Sequence, residues 1–295
     1  MTNAYSHPEV LVTTEWVDEH AADPSVTVVE IDADPEADYK SGHVPGAISW
    51  GLHTDMEDGL RRDIPGVTAI EGLMARSGIG NETTVVLYGD GNNRSATWAF
   101  WVLKYYRHAD VRLMNGGRQR WLYEGRPLST ETPEPEPSVY GAGAPDKSLR
   151  ALREYVLSNL GRGSFKPLDT RTFEEYRGEL VSSPGSDQSG IYRKGRIPGA
   201  AHAPWDDGAS DDGTFLPAEE LRRMYEGAGL DPSDEVVPYC RLGVRASYSW
   251  FVLKYLLGYE RVRNYDGSWT EWGNSTGVPI ETGDAQAGEA GPDSG

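Results

Sequence analysis

Short runs of β-branched and apolar residues recur along the chain, at Val26 to Ile31, Val85 to Tyr88 and Val236 to Tyr239. They alternate with longer stretches whose apolar positions recur at helical spacing. This alternation predicts an α/β fold, with parallel sheets covered by helices on both faces. One stretch, Ala246 to Leu257, is rich in Trp, Phe, Val and Leu and is predicted to be a helix ending at Gly258, a suitable residue for the position after a helix C-cap.

The pattern occurs twice, offset by about 150 residues. Gly42-His43-Val44-Pro45-Gly46-Ala47 matches Gly195-Arg196-Ile197-Pro198-Gly199-Ala200, and each block follows an acidic strand end, around Asp32 and Asp169 respectively. Further on, residues 85–106 match 236–257, and 113–128 match 263–280. Four blocks in the same order indicate a duplicated unit. The expected organisation is a first domain over 1–130, a Pro/Glu-rich extended linker over 131–147, a second domain over 148–281 and a disordered acidic tail over 282–295.

Composition narrows the chemistry. A formal net charge of -18 repels nucleic acid and anionic membranes, so neither is an expected partner. Only six of the 28 basic residues are lysine, so the acid-rich surface resembles that of proteins from high-salt cytoplasms. No apolar run approaches the roughly 20 residues of a membrane span, and the first twenty residues lack the pattern of a secretory signal. A cytoplasmic location is expected. The single cysteine excludes an internal disulfide or a multi-cysteine metal site, and the six histidines show no ligand spacing. No metal or cofactor is expected.

The single cysteine lies at a telling place. The run Val236-Val237-Pro238-Tyr239 delivers Cys240 to a strand end, where ligands bind in open α/β sheets. Cys240-Arg241-Leu242-Gly243-Val244-Arg245 then sets a thiol, a permissive glycine and two guanidinium groups around one tight turn opening a helix. Backbone N–H groups of Leu242, Gly243 and Val244 in such a turn can converge on an anion, and arginines favour a thiolate. A lone cysteine ordinarily packs as a small hydrophobe. A core cysteine has no use for flanking arginines and a glycine, so this one is expected to be a reactive, partly exposed thiolate, with Arg245 and Arg241 as anion ligands.

The loop "CRLGVRAS", the two "G-[HR]-[VI]-P-G-A" blocks and the segment "NYDGSWTEW" resemble the tandem-domain rhodaneses, the thiosulfate sulfurtransferases, over nearly the whole chain. The resemblance implies two rhodanese-like domains, the second catalytic and the first degenerate, with the active-site cleft between them. The first copy has Gly89-Asp90 where the second has Cys240-Arg241. It also implies sulfur transfer of the thiosulfate:cyanide type through a Cys240 persulfide, with cyanide, a thiol or a protein as acceptor, and Asp169 with Arg171 as structural support.

Two cations of better-known relatives are missing, since Leu242 and Glu175 occupy their places; Arg245 is expected to compensate. Alternatives are a 3-mercaptopyruvate sulfurtransferase and a persulfide carrier to a protein partner. Phosphatases and arsenate reductases of this fold have a loop one residue longer, ending in arginine six positions after the cysteine; here Ala246 stands there. Asp90, Asn93 and Arg94 lie on the degenerate loop, where a structural role is the expectation.

Overall fold

The computed structural model describes residues 4–182 and 190–283. Strands β1 (Leu11–Val12), β2 (Val26–Asp32), β3 (Ile48–Gly51), β4 (Thr84–Tyr88) and β5 (Val111–Met114) form one sheet in the order β1-β5-β4-β2-β3. Strands β6 (Phe165–Asp169), β7 (Ala201–His202), β8 (Glu235–Tyr239) and β9 (Arg261–Val262) form another in the order β7-β6-β8-β9. Every pairing in both sheets is parallel. In the second sheet a parallel bridge between Arg150 and Asn264 stands where β1 meets β5 in the first. The two repeats therefore share one topology.

Why the strands read as continuous apolar runs is now plain. On β2 and β4 the side chains of Val29, Ile31, Val85 and Leu87 enter one core, while Val28, Val86 and Tyr88 enter another on the opposite face. The second sheet divides in the same way, with Leu168 and Val236 on one face and Phe165, Val237 and Tyr239 on the other. A sheet buried on both faces has no polar side to alternate with.

One of these cores belongs to both repeats. The helix Arg94–Tyr105 of the first packs against the helix Val244–Phe251 of the second, with Phe100 edge-on to Phe251 at 4.9 Å between ring centroids and Thr97 Oγ1 3.2 Å from Ser247 Oγ. Arg150 spans the junction, bonding Asp63 at 2.6 Å and Asp266 at 2.8 and 2.6 Å. Such a large apolar interface, shared rather than merely touching, holds the two repeats as one packed body.

Residues 130–146 contain no helix or strand. They do not hang free: His43 and Ser129 exchange backbone hydrogen bonds at 2.8 Å, Ser138 N donates to Ala75 O at 2.9 Å, and Tyr140 is buried. The segment is an extended strap laid along the first repeat. Of the tail expected over 282–295, Gly283 N donates to Arg177 O at 2.8 Å; residues 284–295 lie outside the described residues.

Two expectations need correction. The helix after the cysteine begins at Val244, two residues earlier than expected, because Gly243 takes the left-handed backbone (φ 90°) that opens it; its last turns, Val252–Leu256, are π-helical. The strand register also shows that Glu30, not Asp32, corresponds to Asp169, since Glu30 pairs across from Tyr88 and Asp169 across from Tyr239. Each tyrosine hydroxyl donates to its acid and accepts from a backbone N–H of the matching "P-G-A" block, Val44 at 3.0 Å and Ile197 at 3.1 Å. Sequence alone could not place this register, because "VVEIDAD" offers several acids within two residues of one another.

Asp32 is left as a buried acid, and its Oδ2 has no hydrogen-bond partner among the described residues. Burial, then the charges of Glu30 and Asp38, push it up to about 8, against the pull of Arg118. The folded protein thus keeps a proton that the unfolded chain has released, and stability falls as pH rises from about 4 to 8. Asp32→Asn is expected to flatten that slope and to add on the order of 2–3 kcal/mol at pH 8, with little change at pH 4. Urea denaturation at the two pH values checks it; an unchanged slope would show that Asp32 does not carry it.

Candidate active site

Cys240 follows β8 directly, and the closing segment grips it from behind. Its N–H donates to Ser268 Oγ at 3.1 Å and its carbonyl accepts from Trp269 N at 2.9 Å. Arg241 O accepts from both Thr270 N (3.1 Å) and Thr270 Oγ1 (2.8 Å). Ser268 carries out this role with a positive φ of 52°, a strained conformation for a residue with a side chain. The "NYDGSWTEW" block is therefore the clamp that shapes the loop.

Gly243 turns the loop into the helix. A Cβ there would lie 2.7 Å from Asp266 Cα and 2.9 Å from Trp98 Cζ3, so no side chain fits. With φ at 90° its N–H points back to Cys240 Sγ at 3.1 Å, a contact that steadies negative charge on sulfur. Cys240 itself is 1% exposed, which corrects the expectation of a partly exposed thiol. The surrounding chain encloses the residue, which still contributes to the lining of a cleft.

That cleft, of about 470 Å³, is lined by Cys240, Arg241, Leu242, Val244 and Arg245 of the loop, by Thr172, Trp205 and Asp206 elsewhere in the second repeat, and by Ala33, Leu52, His53 and Arg94 of the first. Sequence reasoning missed most of the latter two groups. Arg94 had a detectable signal, because the repeat alignment sets it opposite Arg245: each is six residues after its strand-end tyrosine. The remaining wall residues come from loops with no motif.

Arg245 does reach the cleft, but not as a lone cation. Its Nη1 and Nη2 donate to the Glu175 carboxylate at 3.0 and 3.1 Å, and Glu175 is fully buried. Glu175 closes a capping box with Thr172 at the start of the helix Phe173–Arg177, which is why an acid occupies this position. Burial alone would raise the Glu175 carboxyl; Arg245 overcomes this and holds it below its ordinary range. Burial would likewise lower Arg245, and its interactions with Cys240 and with the Glu175 carboxylate raise it instead. The expectation that Arg245 simply replaces the missing cations is thereby revised, since Glu175 neutralises it.

Behind the loop, Asp169 and Arg171 form a fully buried ion pair, with Nε at 2.9 Å from Oδ1 and Nη2 at 2.6 Å from Oδ2. Asp169 also accepts from Tyr239 OH at 2.7 Å, and Arg171 stacks 4.6 Å from the Trp269 ring. The pair thus fixes the strand residue before Cys240 and the clamp residue that holds its carbonyl.

The first-repeat counterpart of the loop contains no nucleophile. Gly89 stands in place of Cys240, and Asn93 folds inward to accept from Gly89 N at 3.0 Å while donating to Met114 O at 2.7 Å. Asp90 is exposed. Among the described residues no group of three His, Cys, Asp or Glu side chains is arranged to hold a metal ion.

A sequence profile of the rhodanese-like domain matches residues 13–124 and again 152–275, the two repeats described above. The chain belongs to the rhodanese family. Among its rhodanese relatives, the sulfur carrier protein TtuD of Thermus thermophilus is 52% identical over 285 residues, covering 95% of this chain and 99% of that protein. A protein of Mycolicibacterium smegmatis with thiosulfate sulfurtransferase in its name is 42% identical over 275 residues, covering 93% and 98%. The solved structure of the anaerobic ergothioneine biosynthesis enzyme from Chlorobium limicola, bound to trimethyl histidine, superimposes with a TM-score of 0.83 at 26% identity, over 95% of this chain and 72% of that one. This rhodanese is therefore a member of a sulfurtransferase family in both sequence and fold.

Proposed function

We propose that this rhodanese takes the outer sulfur of thiosulfate onto Cys240 and passes it to cyanide or a thiol. The observation that carries the reading is a cysteine lining a cleft with three arginines, with the Gly243 N–H directed at its sulfur. The Cys240 thiolate attacks the outer sulfur, the new S–S bond forms as the old one breaks, and sulfite leaves with the bonding pair. The acceptor then attacks the outer sulfur of the persulfide, giving thiocyanate from cyanide, and the thiolate is restored. The second repeat is catalytic in this reading, and the first, with Gly89 at the matching position, is not.

Arg245 retains a part. A guanidinium has five N–H groups and the Glu175 contact uses two, so others remain for a sulfonate oxygen. Removing Arg245 alone would strand a buried carboxylate, so the informative variant is Arg245→Ala combined with Glu175→Gln. It is expected to raise the KM for thiosulfate about tenfold, with a smaller effect on mercaptopyruvate, as thiocyanate formation from each donor would measure. Equal effects on both donors would remove the case for sulfonate recognition, and faster turnover of mercaptopyruvate by the parent protein would favour that donor instead.

The similarity to TtuD supports a second reading, in which the Cys240 persulfide is handed to a protein partner. The chemistry at sulfur is the same and only the acceptor differs. Mass spectrometry showing extra sulfur on Cys240 in protein from cells, together with negligible thiocyanate formation, would favour the carrier.

A further inference from the structure

We infer that Arg94, contributed by the first repeat, is a donor-binding cation of this cleft, so that an anionic donor is held between the two repeats. The inference deepens the thiosulfate reading and rests on it for the identity of the dianion.

Four observations converge on Arg94. It opens the helix Arg94–Tyr105 and lines the same cleft as Cys240. Its guanidinium stands 5.9 Å from the centroid of the Trp205 ring, which belongs to the second repeat, so the side chain reaches across the junction. Among the described residues it forms no ion pair, whereas Arg245 is bound by both oxygens of Glu175. Finally, Arg94 and Arg245 are close enough to repel each other. Arg94 is exposed to solvent at the cleft, yet the protein packed around its guanidinium and then Arg245 lower it from its ordinary value, while Cys240 and Asp90 oppose both. Two cations from different repeats, lining one cleft with Cys240, define a place where an added anion would relieve that repulsion.

Charge balance in the cleft, which Arg241 also lines, favours the contribution. Thiosulfate carries two negative charges, and the exterior of a chain with net charge -18 repels them. Arg245 is offset by Glu175, and Asp206 adds a further negative charge to the wall. Arg94 supplies positive charge with no carboxylate bound to it. The first repeat, which has lost the nucleophile, has thus kept a role: the residue matching Arg245 reaches the working cysteine of the other repeat. A dianionic sulfonate should depend on Arg94 more than a donor bound through a single carboxylate.

The test separates binding from turnover. In Cys240→Ser protein, which cannot form a persulfide, calorimetric titration with thiosulfate is expected to show about a ten- to hundredfold loss of affinity on adding Arg94→Ala, the scale of a lost charge-assisted contact. Arg94→Lys should recover part of it. In protein that retains Cys240, Arg94→Ala should raise the KM for thiosulfate, while a persulfide loaded beforehand discharges to dithiothreitol at the parent rate. Equal thiosulfate affinity with and without Arg94 overturns the inference, as does the absence of any thiosulfate binding to Cys240→Ser protein. If thiosulfate binds in an Arg94-dependent way but leaves no persulfide on the wild-type cysteine, the inference stands and the thiosulfate-donor reading fails.

Discussion

Cys240→Ser is expected to lower sulfur transfer from thiosulfate to cyanide by at least about a thousandfold, because a serine hydroxyl neither ionises near neutral pH nor holds a transferable sulfur. The fold should survive. The contacts that shape the loop run from the Cys240 N–H to Ser268 Oγ, from Trp269 N to the Cys240 carbonyl and through the helix opened at Gly243, and the Gly243 N–H that meets Sγ can donate to a serine Oγ instead. Thermal unfolding within a degree or two of the parent, alongside lost thiocyanate production and the absence of added sulfur by mass spectrometry, is the full expected result. There is no second cysteine to share the load. Retained thiocyanate formation would therefore require a mechanism without a covalent sulfur intermediate, and the proposed chemistry would have to be abandoned.

The second large effect lies behind the site. Asp169→Ala is expected to cost about 3–5 kcal/mol, since it leaves the fully buried Arg171 guanidinium without its counter-charge. It also removes the acceptor for Tyr239 OH, the residue immediately before Cys240. Denaturant unfolding measures the stability loss. Activity should fall even where the protein remains folded, because Arg171 packs on Trp269, whose N–H holds the Cys240 carbonyl. The first repeat offers an internal comparison. Burial raises the Glu30 carboxyl above its ordinary range despite Tyr88 and Arg118, so its charged form is disfavoured where it sits. Glu30→Ala is accordingly expected to cost less than Asp169→Ala; an equal cost would show that the two buried pairs are energetically alike, and a larger one that the first-repeat pair is the stronger.

Much of the molecule was legible because duplication prints the same pattern twice. Apolar runs reveal parallel strands, since a sheet covered on both faces demands apolar side chains at successive positions. Cys240 at the end of such a run, followed by Gly243 and a helical stretch, marks the loop, because only glycine tolerates the left-handed turn pressed against Asp266. These are local constraints, and local constraints are visible in a sequence.

The charge state of the cleft was not visible in this way. Arg245 reads as a lone compensating cation until the fold brings Glu175, seventy positions earlier, into contact with both of its terminal nitrogens. Arg94 reads as a structural residue of the first-repeat loop until the helix it opens packs against the helix after Cys240. The burial of Cys240 is hidden from the sequence for the same reason, since residues that enclose it arrive from the 265–270 segment. The sequence by itself determined the duplicated α/β units, through repetition, and the strand-end cysteine with the loop that presents it, through spacing within a few residues. Tertiary structure alone decided which arginine is neutralised, which one crosses between repeats and how deeply the sulfur sits. Coulomb energy depends on distance through space, and the packing of two repeats around one core sets those distances.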